Sequence, residues 1–382
     1  MIFQTGLFNL TWGMVVMLLV GCALIYLGIK HEIEPLLLVP IGFGVFLANL
    51  PLTGLMRSVV DGKIVEYYTL GAEPIGIMAK IFNYGLMWEM IPCFIYLGLG
   101  TQLDFGPFIA NPKMVLLAFG EEIGVFTMFF VALFCGFTMK EAAPIGIICG
   151  ADGPTTIYIT TKLAPHMVGI TAVAAYSYMA LVPIIQPPIV KLMTTKKERA
   201  IYMKPQMREV SKAEKIAFPL LGTAIITLLS PDSGPLVGML LLGNLLKECG
   251  VTEQLAESAG TALLNILTIF IGLCVGCFMN AESVFQPKTL GVLGLGALGF
   301  AAATAGGVLM AKTMNLFLKE KINPILGAAG VSAMPMSARV VQKMGQEENK
   351  QNFLIMHALG PLVSSEVVTA TAAGVFIGML LR

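Results

Sequence analysis

Charge is what this sequence has least of. Lys, Arg, Asp and Glu make up 12% of its 382 residues, where a soluble chain carries roughly 25% to keep its surface hydrated. The net charge is only +1, so no basic field exists to hold nucleic acid. Histidine occurs three times, and His31, His166 and His357 are too scattered to form a ligand set. Six of the seven cysteines (Cys22, Cys93, Cys135, Cys149, Cys274, Cys277) sit in apolar runs, where they behave as small hydrophobes. Cys274 and Cys277 have CxxC spacing, but no second pair accompanies them, which speaks against a metal or redox site. Walker loop, Rossmann fingerprint, GxSxG elbow and zincin helix are all missing, so ATP is not the visible energy source. What remains is apolar: 56% hydrophobic residues and a mean hydropathy of +0.82. These figures describe a polytopic helical membrane protein.

A span needs about 20 apolar residues. Segments 12–29, 85–103, 122–138, 167–190, 259–279, 291–311 and 367–381 meet or approach that length. The first has no positive region before it and no convincing cleavage site after it, so a retained membrane helix is expected rather than a signal peptide. Segments 35–50, 105–119, 143–161, 233–246 and 323–338 are apolar but short and salted with Gly and Pro. Such segments survive at membrane depth only when buried in protein or lining a wet cavity. Between Lys191 and Lys215 lie eight of the 24 basic residues: Lys191, Lys196, Lys197, Arg199, Lys204, Arg208, Lys212 and Lys215. The positive-inside rule puts that loop in the cytoplasm. It is either a topology signal alone or also a docking surface for a soluble partner.

The two halves echo each other. Setting Pro144 against Pro324 gives an offset of 180 that also pairs Ile145 with Ile325, Gly150 with Gly330 and Asp152 with Ser332. NPKMVLLAFG at 111–120 resembles QPKTLGVLGLG at 286–296, and MALVPIIQPP at 179–188 faintly matches HALGPLVSSE at 357–366. Matching broken segments in two halves point to a transporter's binding site. The expected fold is therefore all-α, with two inverted-topology repeats whose broken or re-entrant helices meet near the bilayer midplane. The expected organisation is N-terminal helices and connector over 1–84, a first repeat over 85–190, the basic loop at 191–215, linking spans over 216–258 and a second repeat over 259–382.

Asp152 is the charge least able to reach an interface, lying in IGIICGADGPTTIYIT. A carboxylate at the bilayer centre costs about 2.5–3.5 kcal/mol on insertion scales, so a compensating partner is required. Gly150, Gly153 and Pro154 forbid a smooth helix there. Freed carbonyls, the carboxylate and the hydroxyls of Thr155, Thr156 and Tyr158 form a hard-oxygen set suited to Na⁺ or H⁺. Capping of a half-helix is the structural alternative.

The second broken segment is NPILGAAGVSAMPMSARVVQ, residues 323–342. Asn323 and Gly327 share one helical face, and Ser332 and Arg339 share another, about 10 Å apart along an unbroken helix. A break at Gly327, Gly330 and Pro335 is expected to let all four converge, with Arg339 meeting an anion from the aqueous side above a deeper Ser332. An Arg that merely snorkels to the interface is the alternative. Tyr176 and Tyr178 read as interfacial aromatics on composition alone. Glu366 is a plausible second acid, and Glu89, Glu121, Glu122 and Glu282 are expected at segment ends.

GADGPTTIYIT at 150–160 and NPILGAAGVSAMPMSARVVQ at 323–342 resemble the two signature regions of the β subunits of sodium-pumping biotin-dependent decarboxylases, which act on oxaloacetate, methylmalonyl-CoA, glutaconyl-CoA or malonate. The resemblance covers nearly the whole chain. It implies a bacterial inner-membrane, multi-pass subunit that removes CO₂ from carboxybiotin and exports Na⁺. It further implies that Asp152 binds Na⁺, Tyr178 is functional, Ser332 binds Na⁺ and relays the consumed proton, Asn323 and Gly327 are sensitive positions, and Arg339 meets the carboxylated cofactor. Leu362 follows Gly360–Pro361 where oxaloacetate-type members carry Asn, which removes one Na⁺ contact and argues against that subtype; Ser364, Ser365 or Glu366 would have to substitute. Neither TMKEA at 138–142 nor VLMAKTM at 308–314 is a biotin attachment sequence. The resemblance thus implies biotin on a partner (a carboxyltransferase subunit or carrier protein), a small membrane-anchor subunit and a homo-oligomer within the complex. A Na⁺/organic-anion symporter with Arg339 holding the substrate fits the unaided physics equally well.

Overall fold

The computed structural model describes residues 6–32, 34–65, 68, 70–204 and 208–381. The first five residues of the N-terminal run and residues 205–207 of the basic loop lie outside the described residues. The principal helices are α1 (Trp12–Lys30), α2 (Pro35–Ala48), α3 (Met90–Gln102), α4 (Val115–Phe134), α5 (Met139–Ile147), α6 (Gly153–Leu163) and α7 (Val168–Met193). They continue with α8 (Lys212–Leu229), α9 (Gly234–Glu248), α10 (Leu264–Phe278), α11 (Pro287–Phe317), α12 (Met336–Glu348) and α13 (Ile355–Leu381). Strands β1 (Ser58–Val60), β2 (Lys63–Val65) and β3 (Glu73–Pro74) form a small antiparallel sheet in the order β2-β1-β3. Six helical stretches among the described residues are long and apolar enough to cross a membrane.

Several boundaries differ from the hydropathy reading. The expected span at 85–103 shortens to α3, because Glu89 adopts a left-handed φ of 63° and interrupts it after a π-helical turn at Phe82–Met87. Segment 105–119 is no separate element: its second half runs into α4, which carries Glu121 and Glu122 inside the helix rather than at an end. The last span begins at Ile355, twelve residues before the expected start at 367.

Both broken elements are hairpins. In the first, α5 tightens through a 3-10 turn (Ile148–Gly150), Ala151 takes a left-handed φ of 52°, and Asp152 caps α6. Its two ends stand together, since Glu141 in α5 lies 2.9 Å from His166 beyond α6 and 2.6 Å from Lys288 at the start of α11. In the second, a 3-10 helix (Pro324–Gly330) gives way to an extended Val331 and then α12. Its ends also stand together: Asn323 donates to the carbonyls of Arg199 (2.7 Å) and Ile201 (2.9 Å), while Arg199 donates to Glu348 at the end of α12 (2.6 Å). Ile322 is tied by two hydrogen bonds to Asn315 in the last turns of α11. The 31 residues of α11 span about 46 Å. The hairpins therefore approach each other from opposite ends of one membrane-length helix.

Small residues let these parts close up. A Cβ at Gly120 would fall 2.5 Å from Gly307, and one at Gly124 would fall 2.5 Å from Ala303. Contacts that climb α4 as they descend α11 mean the two helices cross antiparallel, as close as small residues in lipid permit.

Candidate functional site: buried carboxylates between two hairpins

Asp152 owes its position to the break. Pro154 opens α6 without needing a hydrogen-bond acceptor, and the Asp152 carboxylate accepts the Thr155 amide at 3.2 Å as an N-cap. Its other oxygen accepts the Tyr96 hydroxyl from α3 at 2.5 Å. Tyr96 also touches the Thr155 hydroxyl and reaches Glu366 of α13 at 3.4 Å. Thr156 donates back to the Asp152 carbonyl at 2.6 Å. Tyr158 points elsewhere, donating to the Asp232 carbonyl.

Glu121, in the middle of α4, sits against the other break. It accepts the Ser332 hydroxyl at 2.7 Å, the Ser332 amide at 3.2 Å and the Thr369 hydroxyl at 3.1 Å. The Ser332 hydroxyl also lies 3.4 Å from the Gly150 carbonyl, which is where the hairpins meet. Gly150 has to be glycine: a Cβ would stand 2.1 Å from a Glu121 oxygen and 2.6 Å from the Ser332 hydroxyl.

Asp152, Glu121 and Glu366 are 2%, 0% and 1% exposed, and among the described residues no Lys, Arg or His forms an ion pair with any of them. Buried charge without a partner is costly, so each carboxyl has to be balanced by a proton or a cation. No group of three or more His, Cys, Asp or Glu among the described residues is arranged to hold a metal ion on its own. The oxygens available are mixed: carboxylate, hydroxyl, phenol and the carbonyls released by two breaks. That set suits a weakly held alkali cation better than a transition metal.

The sequence expectations are only partly met by this geometry. Asp152 and Ser332 lie at facing breaks, but the four second-hairpin residues do not converge. Asn323 is buried at the hairpin base, its amide spent on the 199–201 carbonyls and its oxygen on the Ile325 amide. Gly327 packs on α11, where a Cβ would fall 2.0 Å from the Gly307 carbonyl. Arg339 is exposed and lines a cavity of about 440 Å³ with Gln342, Lys343, Gln346, Glu347 and Ile355. The segment is bent into a hairpin that leaves Ser332 at the inner break, Asn323 at the base and Arg339 on an exposed face. Tyr178 is not in contact with Asp152: its hydroxyl donates to the Leu293 carbonyl on α11, beside Gly296. Tyr176, two residues earlier and so on another helical face, is the tyrosine packed on Gly153; its buried hydroxyl has no partner.

Sequence reasoning missed Tyr96 and Thr369 and misplaced Glu121 at a segment end. Glu121 looked terminal because it follows a Gly in a run that hydropathy splits, and its partners are 211 and 248 residues away. Of the proposed stand-ins near Leu362, Ser364 and Ser365 donate to carbonyls of their own helix, whereas Glu366 joins Tyr96.

Residues 13–380 match the family model described as the Na⁺-transporting oxaloacetate decarboxylase beta subunit. The chain belongs to that family. Among curated relatives it is 50% identical to the methylmalonyl-CoA decarboxylase subunit beta of Propionigenium modestum, over 98% of this chain and 97% of the relative. It is 47% identical to the glutaconyl-CoA decarboxylase subunit beta of Acidaminococcus fermentans, over 99% and 96%. It is 44% identical to the oxaloacetate decarboxylase beta chain of Klebsiella pneumoniae, over 98% and 97%. Family membership and the apolar helices make this a multi-pass bacterial membrane protein, a decarboxylase subunit coupled to Na⁺ transport. The free-standing symporter reading is set aside.

Proposed function

We propose that this chain removes CO₂ from carboxybiotin delivered by a partner subunit and couples that step to Na⁺ export, consuming one proton. The observation that carries the reading is the set of three buried carboxylates, unpaired with any basic residue among those described, at the meeting point of two opposed hairpins. In the reaction the N–CO₂⁻ bond of carboxybiotin breaks, CO₂ leaves, and the nitrogen keeps the electron pair and takes up a proton. Arg339, exposed on the side of the basic loop, is suited to orient the carboxylate within its 440 Å³ cavity. Ser332 and Asp152 lie deeper and face the ion pathway.

Na⁺ is the cargo. At Asp152 it would meet a carboxylate held by Tyr96 and Thr155; at Glu121 it would meet the Ser332 and Thr369 hydroxyls. A carboxylate occupied by Na⁺ holds a proton poorly, so proton uptake for the chemistry and Na⁺ release are linked through the same oxygens. Tyr178, Asn323 and Gly327 are proposed to act through packing: Tyr178 on α11, Asn323 and Gly327 on the base and wall of the second hairpin.

Alternating access calls for a symmetric scaffold, and we read the halves as an inverted repeat. Near the 180 offset, α3 corresponds to α10, α4 to α11, α5–α6 to the 324–348 hairpin, and α7 to α13. Helices α7 and α13 each carry an internal proline, Pro183 and Pro361. The scheme extends at an offset near 200 to α1 with α8 and α2 with α9, so the repeats begin earlier than the 85–190 and 259–382 blocks suggested by sequence.

Biotin on a partner subunit, a small membrane-anchor subunit and a homo-oligomeric assembly belong to the same proposal. Close similarity to relatives named for three acyl substrates leaves that specificity to another chain. The test is Asp152→Asn in the assembled complex. Loss of Na⁺-stimulated decarboxylation, with loss of Na⁺-dependent thermal stabilisation of the isolated chain, is expected. Wild-type stimulation in that variant would remove Asp152 from its role.

A further inference from the structure

Among the described residues, a cavity of about 860 Å³ opens where α11 ends. Its polar rim carries Lys113, Lys204, Arg208, Lys319 and Lys321 against a single acid, Glu320. Arg208 is paired with Glu214 at 2.9 Å. The four lysines are exposed, and none forms an ion pair with a described carboxylate. Beneath the rim the wall is apolar, with Met114, Met203, Met314 and Ile322. Beside it, Leu316 and Phe317 are 80% and 87% exposed at the end of a membrane-length helix. Lysines directly after an apolar span stand at headgroup depth, where anionic lipids concentrate.

We infer that this cavity binds the headgroup of an anionic phospholipid, phosphate on the lysine rim and acyl chain along Leu316 and Phe317. An amphiphile matches both halves of the surface. A soluble acidic protein would use the lysines and leave the apolar flank exposed, and free phosphate would do the same. The site adjoins the clamp on the second hairpin: Met203 and Lys204 follow the Arg199 and Ile201 carbonyls that hold Asn323, and the Asn323 amide donates to the Met203 sulfur at 3.4 Å. His357 on α13 lines the cavity and hydrogen-bonds the Lys204 carbonyl at 2.9 Å, joining the same wall to the last helix. A bound lipid would thus brace the hairpin base. The inference does not depend on the Na⁺ assignment.

The test uses the delipidated full-length chain in detergent, titrated with phosphatidylglycerol, cardiolipin or phosphatidylcholine and followed by native mass spectrometry and thermal melting. The wild type should bind the anionic lipids preferentially and melt higher with them. Lys204→Ala/Lys319→Ala/Lys321→Ala should weaken that binding by at least about tenfold, since each basic residue near an anionic surface contributes roughly a fivefold effect (about 1 kcal/mol). It should melt like the wild type in phosphatidylcholine. Should the triple variant fold poorly, salt titration of the wild type serves instead, because the preference must fade as charges are screened. Equal affinity for phosphatidylcholine, equal protection by inorganic phosphate, or a variant that loses a biotin-carrying partner while keeping its lipid preference would each overturn the assignment.

Discussion

At the residue scale, the site is a problem of charge without counter-charge. Among the described residues Tyr96 is the only phenol that donates to Asp152, and it does so from a separate helix. Tyr96→Phe keeps the ring and deletes the donor; an unsatisfied buried acceptor costs about 1–3 kcal/mol. The half-saturating Na⁺ concentration for thermal stabilisation should therefore move by about tenfold, an energy of roughly 1.4 kcal/mol. An unchanged midpoint would detach Tyr96 from the ion site. Gly150→Ala inserts a methyl group 2.1 Å from a Glu121 oxygen. Overpacking of that kind costs about 1–3 kcal/mol, and it should appear as a lower melting temperature together with weakened Na⁺ protection, because Ser332 and Glu121 must separate to admit it.

The element scale shows what hydropathy and motif could and could not reveal. Both breaks were legible: the Gly-Ala-Asp-Gly-Pro string at 150–154 and a Gly-rich run before Pro335 cannot continue a helix, and the structure bends at both. The all-helical membrane fold was equally legible, since composition alone removes the polar coat. Convergence of Asn323, Gly327, Ser332 and Arg339 was expected and fails, because spacing along a chain gives no direction after a break: the hairpin leaves Ser332 at the inner break and Asn323 at its base. Glu121 escaped for the opposite reason: a charge in a span looks improbable until Ser332 and Thr369, distant in sequence, are placed against it. Close helix contacts yield an internally controlled prediction. Gly307→Ala would put a methyl 2.0 Å from the Gly327 carbonyl, while Gly291 and Gly294 on the same helix face open space. The first change should destabilise by about 1–3 kcal/mol. Gly291→Ala and Gly294→Ala should be neutral or stabilise by about 0.5–1 kcal/mol. Equal effects in a melting series would refute the packing of α11 on the hairpin.

The first hairpin has a pH signature of its own. Burial pushes the Glu141 carboxyl up, but hydrogen bonds from Lys288, His166 and Thr138 outweigh it and hold the group at about 2. A depressed native value stabilises the fold above the ordinary value of 4.5, and that stabilisation disappears as pH falls from there towards about 2. Glu141→Gln should flatten this acid limb of a stability-against-pH curve. An identical limb in the variant would show that the cluster does not hold the hairpin ends.

For the whole molecule, the connector between the halves is more than a topology signal. Arg199, 6% exposed, joins the Thr194 carbonyl, Glu348 and, through its own carbonyl, Asn323. Removing one partner of a buried ion pair costs about 3–5 kcal/mol. Arg199→Ala should therefore loosen the second hairpin, detectable as faster proteolysis after residue 348. Wild-type resistance would confine Arg199 to the surface.

In the proposed alternating-access cycle, two hairpins reaching inward from opposite ends of α11 would leave the Gly150–Ser332 contact as a thin septum once water enters behind each tip. Membrane voltage falls where water stops, so most of the electrical gradient would then be concentrated across that septum instead of along the full bilayer. A cation stepping a few ångströms past it would do nearly the whole electrical work of crossing, about 2.3 kcal/mol per charge for each 100 mV.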